Sequence, residues 1–214
     1  QYIIPIINNI YYSKNNKFIL SGSQGSGKST LAKLLKLVIE KYYTKKVMLL
    51  SIDDYYLCKN QRLKLSKKIH PLLLTRGVPG THDIKALKYH INQFQNQNFP
   101  ISTPIFNKLK DDISKKRKII NNAQILLLEG WCCAAKPIAN QYLFKNINSL
   151  ENTYDKNTNW RKYYNSLLRN EYKSVFSLFD KKIYIKSPSF KYVLEWRYAQ
   201  EKSNASKSNN KNFM

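Results

Sequence analysis

The chain has 214 residues and a formal charge of +24, from 37 Lys and Arg against 13 Asp and Glu, with 43% hydrophobic and 13% aromatic residues. That length suits one domain with a real core, and the apolar content excludes a wholly disordered chain. No apolar run approaches the ~20 residues of a membrane-spanning helix, and three cysteines (Cys58, Cys132, Cys133) exclude a disulfide framework, so reduced thiols in a cytoplasmic setting are expected.

Gln1–Tyr12 has neither a basic head nor a small-residue cleavage site and does not read as a secretory signal. The chain begins without Met and reads as a fragment. The apolar run 18–21 enters a glycine turn as a buried strand. Leu31, Leu34, Leu35, Val38, Ile39 and Tyr42 then mark a helix with one apolar face. Residues 47–52 form a second strand. Ile84, Leu87, Ile91 and Phe94 fit a helix capped by Thr81 or Asp83. The run 124–128 is a third strand, apolar throughout as in a sheet covered on both faces. Trp160, Tyr163, Tyr164, Leu167, Leu168, Val175, Phe176 and Phe179 mark one long amphipathic helix, 160–179, used for core packing. Residues 182–186 form a fourth strand. A helix carrying Val193, Leu194 and Arg197 begins at 187–190, and the polar tail 203–212 is expected to fray. The Lys-rich segments 59–68 and 107–122 read as surface excursions.

This alternation predicts an α/β fold: a three-layer α/β/α sandwich with a parallel sheet and a small helical lid. One domain over 1–214 is expected, with the tail 203–214 polar and the C-terminus truncated.

The charge alone points to polyanions. Only six of the 37 cations are Arg, however, and Lys, Asn, Ile and Tyr fill about two fifths of the chain. Composition bias is therefore the stronger reading, and neither a nucleic-acid nor a membrane partner is expected. The six glycines carry more information, because they fall in three short segments: SGSQGSGKST, TRGVPGTHD and LLEGW. A residue that permits special backbone shapes is confined to the stretches that hold the candidate chemistry.

Gly22-Ser23-Gln24-Gly25-Ser26-Gly27-Lys28-Ser29 is a complete G-x-x-x-x-G-K-[ST] loop between a strand and a helix, followed by Thr30. Its backbone N–H groups and the helix N-terminus form an anion nest for ATP phosphates. Lys28 would bridge the β- and γ-phosphates, and Ser29 would ligate Mg²⁺. Asp53 and Asp54 follow the second strand, on the edge where open parallel sheets bind ligands. Asp53 is the candidate base and a candidate Mg²⁺ ligand, and Asp54 a helper near metal and substrate. Glu129 ends the third strand in the position of an acid that holds the Mg²⁺ water shell. Arg76 can grip a carboxylate, and His82 and Asp83 can contact hydroxyls. The cysteines and histidines have no zinc spacing.

GSQGSGKST, SIDDYYL, HPLLLTRGVPGTHD, P-x-F-N-K, LLEGWC, WR-x-Y and F-x-x-V-x-x-WR together resemble the D-glycerate 3-kinase family of phosphate-loop kinases, over residues 18–202. The resemblance implies the phosphate-loop NTPase (P-loop NTPase) type of α/β/α sandwich and transfer from ATP to D-glycerate, giving 3-phosphoglycerate. It implies that Asp53 is the base, that Arg76 and Lys108 are candidates for the substrate carboxylate, and that lid closure brings Arg197 to the transferring phosphoryl group. It also implies a further helical segment past residue 214. The chain departs from the family pattern at Asn107, where an acid is usual, at Ile113, where an Arg is usual, and at Cys133-Ala134-Ala135, where a glycine is common. Another small alcohol as acceptor (a nucleoside, pantothenate or a sugar acid) and a non-catalytic ATP-binding protein engaging nucleic acid are the alternatives.

Overall fold

The computed structural model describes residues 3–209, with side chains described to Ala199 and at Lys202. Four parallel strands form the central sheet: β1 (Lys17–Gly22), β2 (Val47–Ser51), β7 (Ile125–Gly130) and β8 (Lys181–Ile185), in the order β2-β7-β1-β8. Apolar side chains cover both faces. On one face, Phe18, Leu20, Ile125 and Leu127 pack with Ala32, Leu35 and Ile39 of α2 (Lys28–Tyr42) and with Ile7 and Ile10 of α1 (Ile3–Tyr11). On the other, Ile19, Met48, Leu50, Leu126 and Leu128 meet α4 (Ile84–Gln95) and the segment 168–179. Alternation along each strand thus feeds two cores, the three-layer α/β/α arrangement that the patterning predicts.

Register sets the level of the functional edge. Ser21 lies beside Gly130, Leu20 beside Glu129, and Ser51 beside Glu129. The carboxyl ends of β1, β2 and β7 therefore finish on one rim.

The strands lie within a residue or two of the expected ones. Asp83, not Thr81, caps α4, its Oδ1 accepting from Ala86 N–H at 2.9 Å. The predicted excursion 59–68 is α3 (Lys59–Lys68), anchored by the buried Arg62, whose guanidinium donates to Leu57 and Leu74 carbonyls and to Asp111. Lysine-rich composition hid a helix whose single buried cation does the anchoring. The excursion 107–122 supplies partners to two antiparallel pairs with the segment just before it, β3 (Ile101–Thr103) with β6 (Lys118–Ile120) and β4 (Phe106–Asn107) with β5 (Asp112–Ile113). Between β7 and the next long helical stretch lie α5 (Asn140–Leu143) and α6 (Ser149–Tyr154). The single helix expected over 160–179 is α7 (Asn159–Leu167), a π-helical stretch Leu168–Tyr172 and α8 (Lys173–Phe176). The last helix, α9 (Phe190–Asn209), continues through much of the tail expected to fray, and residues 210–212 of that tail lie outside the described residues.

Gly130 closes β7 where a Cβ would stand 2.3 Å from Ile52 Cγ2 and 2.9 Å from Cys133 Sγ. Both neighbours are buried. Gly130→Ala should therefore cost about 1–3 kcal/mol through overpacking, read as a lowered thermal midpoint. An unchanged midpoint would contradict this packing.

Candidate active site

The phosphate loop is shaped by its glycines. Gly25 (φ 76°) and Gly27 (φ 80°) occupy left-handed conformations that a Cβ disfavours. Gly27 is the N-cap of α2, so the unpaired N–H groups of the first turn face the loop. Segments from the end of the chain lean on it. Ser23 Oγ hydrogen-bonds Ser187 Oγ, and a Cβ on Gly25 would meet Trp196 Cβ at 2.6 Å.

A cavity of about 230 Å³ opens over this loop, lined by Gln24, Gly25, Gly27, Lys28, Ser29, Thr30, Asp53, Lys108, Trp131, Trp196 and Arg197. Residues from five separate stretches of sequence thus meet at the rim that the strand register defines. Ser29 Oγ donates to Glu129 Oε1 at 3.0 Å, and Glu129 Oε2 is buried without a hydrogen-bond partner. A loop hydroxyl held beside a carboxylate with a spare buried oxygen is an oxygen donor set that suits a hydrated Mg²⁺. Among the described residues no cluster of three or more His, Cys, Asp or Glu could hold a metal alone. Phosphate oxygens and water would have to complete the shell, as is usual for this ion.

Asp53 sits in a 3-10 turn, Ile52–Tyr55, straight after β2. Lys108 Nζ donates to its Oδ2 at 2.6 Å, while Oδ1 is buried without a hydrogen-bond partner. Burial works to raise its proton affinity, but the Lys108 charge and hydrogen bond, with smaller shares from His82 and Lys28, hold the carboxyl below its ordinary value. Lys108 reaches Asp53 from the β4–β5 hairpin. Asp54 Oδ1 accepts from the Phe106 N–H of that hairpin at 3.1 Å, and burial raises its carboxyl above the ordinary value. At the far end of the hairpin Asp111 binds both Arg62 and Arg76.

The expected site residues therefore divide. Gln24, Gly25, Gly27, Lys28, Ser29, Thr30, Asp53, Lys108 and Arg197 line one cavity, with Glu129 bonded to Ser29, while Gly22, Ser23 and Ser26 of the loop are not in its wall. Asp54, Arg76, His82 and Asp83 are absent from its wall. Asp54 holds the hairpin, Arg76 is paired with Asp111, Asp83 caps α4, and His82 is buried behind Tyr56, with the two rings stacked at 4.4 Å. Sequence reasoning missed Trp131 and Trp196 as cavity walls. Each adjoins a residue singled out by motif, in EGW and in WR. It also missed Arg62 and Asp111, and only the positive φ of Asp111 sets that residue apart.

A parallel sheet with a phosphate loop, an acid after β2 and an acid ending β7 on one rim defines a phosphate-loop kinase. No family model matches the chain. It is similar to the probable ATP-dependent kinase TDA10 of Saccharomyces cerevisiae, 34% identical over 196 residues that cover 85% of this chain and 65% of that kinase. The solved YGR205w protein is 30% identical, with a TM-score of 0.67 over 95% of this chain and 74% of its own. A D-glycerate 3-kinase from Cryptococcus neoformans shares the fold at a TM-score of 0.80 and 24% identity, over 97% of this chain and 78% of that one. Pantothenate kinases match about half of the chain and about a third of their own length, as with that of Ligilactobacillus salivarius. The chain belongs to the same family of phosphate-loop kinases as the YGR205w protein, and its class of reaction is ATP-dependent phosphotransfer.

The Lys108–Asp53 pair yields a titration prediction. The depressed carboxyl binds its proton less tightly folded than unfolded. Its contribution to stability is thus present above the ordinary carboxylate range and fades as pH falls through the lowered midpoint. In Lys108→Met, burial should dominate and the Asp53 midpoint should move up, as read by ¹³C carboxyl titration. A midpoint that stays put would show that Lys108 is not what holds the charge.

Proposed function

We propose that this chain transfers the γ-phosphoryl group of ATP to D-glycerate, giving 3-phosphoglycerate. The observation that carries the reading is Asp53: one carboxylate oxygen on Lys108, the other buried and unpaired, in the wall of the cavity that the phosphate loop floors. A base needs a free acceptor oxygen within reach of the hydroxyl it deprotonates.

The roles follow from the charges. The loop N–H groups, Lys28 and Arg197 bind and orient the triphosphate. Mg²⁺, held through Ser29 and the Glu129 side of the site, supplies charge neutralisation to the phosphates when bound. Lys108 is the cation left for a substrate carboxylate. As it turns toward that carboxylate it loosens from Asp53, and burial then raises the proton affinity of Asp53 as the hydroxyl arrives. Trp131 and Trp196 narrow the cavity and exclude water. The free cysteines, two of them buried, fit a reducing cytoplasmic setting. Among the described residues no helix is long and apolar enough to cross a membrane.

Glycerate is favoured by the fold shared with a D-glycerate 3-kinase and by a cation next to the base. Pantothenate is the second reading, favoured by the pantothenate kinases that match half of the chain. It too is a hydroxy acid, so the same pair of groups serves it.

ADP release with D-glycerate, pantothenate, nucleosides and sugar acids should show turnover with D-glycerate, phosphorylated at carbon 3. Asp53→Asn should lower turnover by about 10²–10⁴-fold while ATP binding survives, and Lys28→Ala should lose ATP binding. Turnover of Asp53→Asn within a few-fold of wild type would overturn the assignment of the base.

A further inference from the structure

Lys108 reaches Asp53 from a turn that could not hold it there unaided. Its side chain is more than half exposed, and an exposed ion pair is weak. β4 and β5 pair only through Phe106 with Ile113 and Asn107 with Asp112, too short a ribbon to be stable by itself. A lysine in such a turn also has many rotamers to lose when it is held in one place.

The turn is fastened at Asp111 instead. Asp111 takes a left-handed backbone, φ 52°, and from it both its carbonyl and its carboxylate meet one guanidinium. Arg62 Nη2 donates to Asp111 O at 2.7 Å and to Oδ2 at 2.8 Å, while Asp111 Oδ1 pairs with Arg76. Arg62 is fully buried, and two further carbonyls fix it: Nε donates to Leu57 O at 3.1 Å and Nη1 to Leu74 O at 2.7 Å. A planar fork bonded along several directions defines an orientation that an ammonium does not. Leu57 lies four residues after Asp53. The turn that carries Lys108 and the segment that carries Asp53 are thus bound to one rigid group. The Arg76 guanidinium also lies over the Phe106 ring of β4, 5.5 Å from its centroid. Within the turn, Asn107 Oδ1 accepts from the Leu109 and Lys110 N–H groups, both at 3.1 Å, which carries the constraint along to Lys108.

We propose that Asp111 is a positioning residue: its clamp on Arg62 and Arg76 sets the β4–β5 turn so that Lys108 stands beside Asp53 in the cavity wall. Neither Asp111 nor Arg62 lines the cavity, so the clamp acts through Lys108. The inference rests on the kinase reading above where it concerns the acceptor, because a displaced Lys108 would no longer meet the substrate carboxylate.

The ¹⁵N ammonium signal of Lys108, in the whole chain without ligands, tests the clamp apart from any reaction. In wild type its order parameter should exceed that of Lys110, an exposed neighbour in the same turn. Equal values would overturn the proposal whether or not any variant folds. In Asp111→Gly, which suits the left-handed backbone, Lys108 should fall to the mobility of wild-type Lys110. Lys110→Gly adds the same backbone freedom next door and keeps the carboxylate, so Lys108 should stay ordered. Loss of order there too would assign the effect to loop flexibility and overturn the clamp. Arg76→Met leaves Arg62 with its counter-ion and should give an intermediate value, and an unchanged one would overturn the proposal. With the acceptor that the panel identifies, KM should rise about tenfold in Asp111→Gly while ATP affinity holds. An unchanged KM would overturn the link to acceptor binding. Failure of D-glycerate in the panel would count against the proposed substrate, and the ammonium measurements would still decide the clamp.

Discussion

The parallel register of β1, β7 and β2 is the constraint on which the site depends. Because Ser21 aligns with Gly130 and Ser51 with Glu129, three chain segments that leave the sheet do so at one level. The first becomes the phosphate loop, the second the turn bearing Asp53, and the third carries Glu129 beneath Ser29. A one-residue slip of any strand would exchange its core face for the opposite one. The two apolar cores that stabilise the sheet therefore also fix the geometry of the charges.

Charge at the rim is balanced locally rather than by the whole basic molecule. Asp53 meets Lys108 and Asp111 meets Arg62 and Arg76, while Glu129 accepts a hydrogen bond from the neutral Ser29 hydroxyl. The β4–β5 hairpin carries two of these residues, Lys108 and Asp111, between its strands. It is tied at one end by Asp54 to the turn after β2 and at the other by Asp111 to two arginines. A change in the Lys108–Asp53 contact is thus transmitted to an element with defined attachments.

The fold was legible because apolar periodicity survives a biased composition. Phe18–Ser21, Val47–Ile52 and Gln124–Leu128 read as strands since buried parallel strands are apolar on both faces. Gly22, Gly25 and Gly27 announced the loop, as two of them need left-handed backbone. What stayed hidden depends on long-range pairing. Arg62 looks like any residue in a Lys-rich helix until its guanidinium is seen at three carbonyls and a carboxylate. Asp83 was legible as a helix cap, whereas Arg76 stood out by motif for a substrate carboxylate and pairs instead with Asp111. Tyr172 was not among the positions picked out for the 160–179 helix; its ring is buried and its hydroxyl is held by Gly80 and His82, distant in sequence.

The central claim is that Asp53 faces the acceptor hydroxyl at the phosphate end of a bound nucleotide. A crystal structure of the complex with a non-transferable ATP analogue, Mg²⁺ and D-glycerate measures this directly. The account predicts an Asp53 oxygen within hydrogen-bond distance of the acceptor hydroxyl, that hydroxyl in line with the γ-phosphorus, and Lys108 drawn to the substrate carboxylate. An acceptor bound away from Asp53, with the Lys108–Asp53 pair intact, would contradict it.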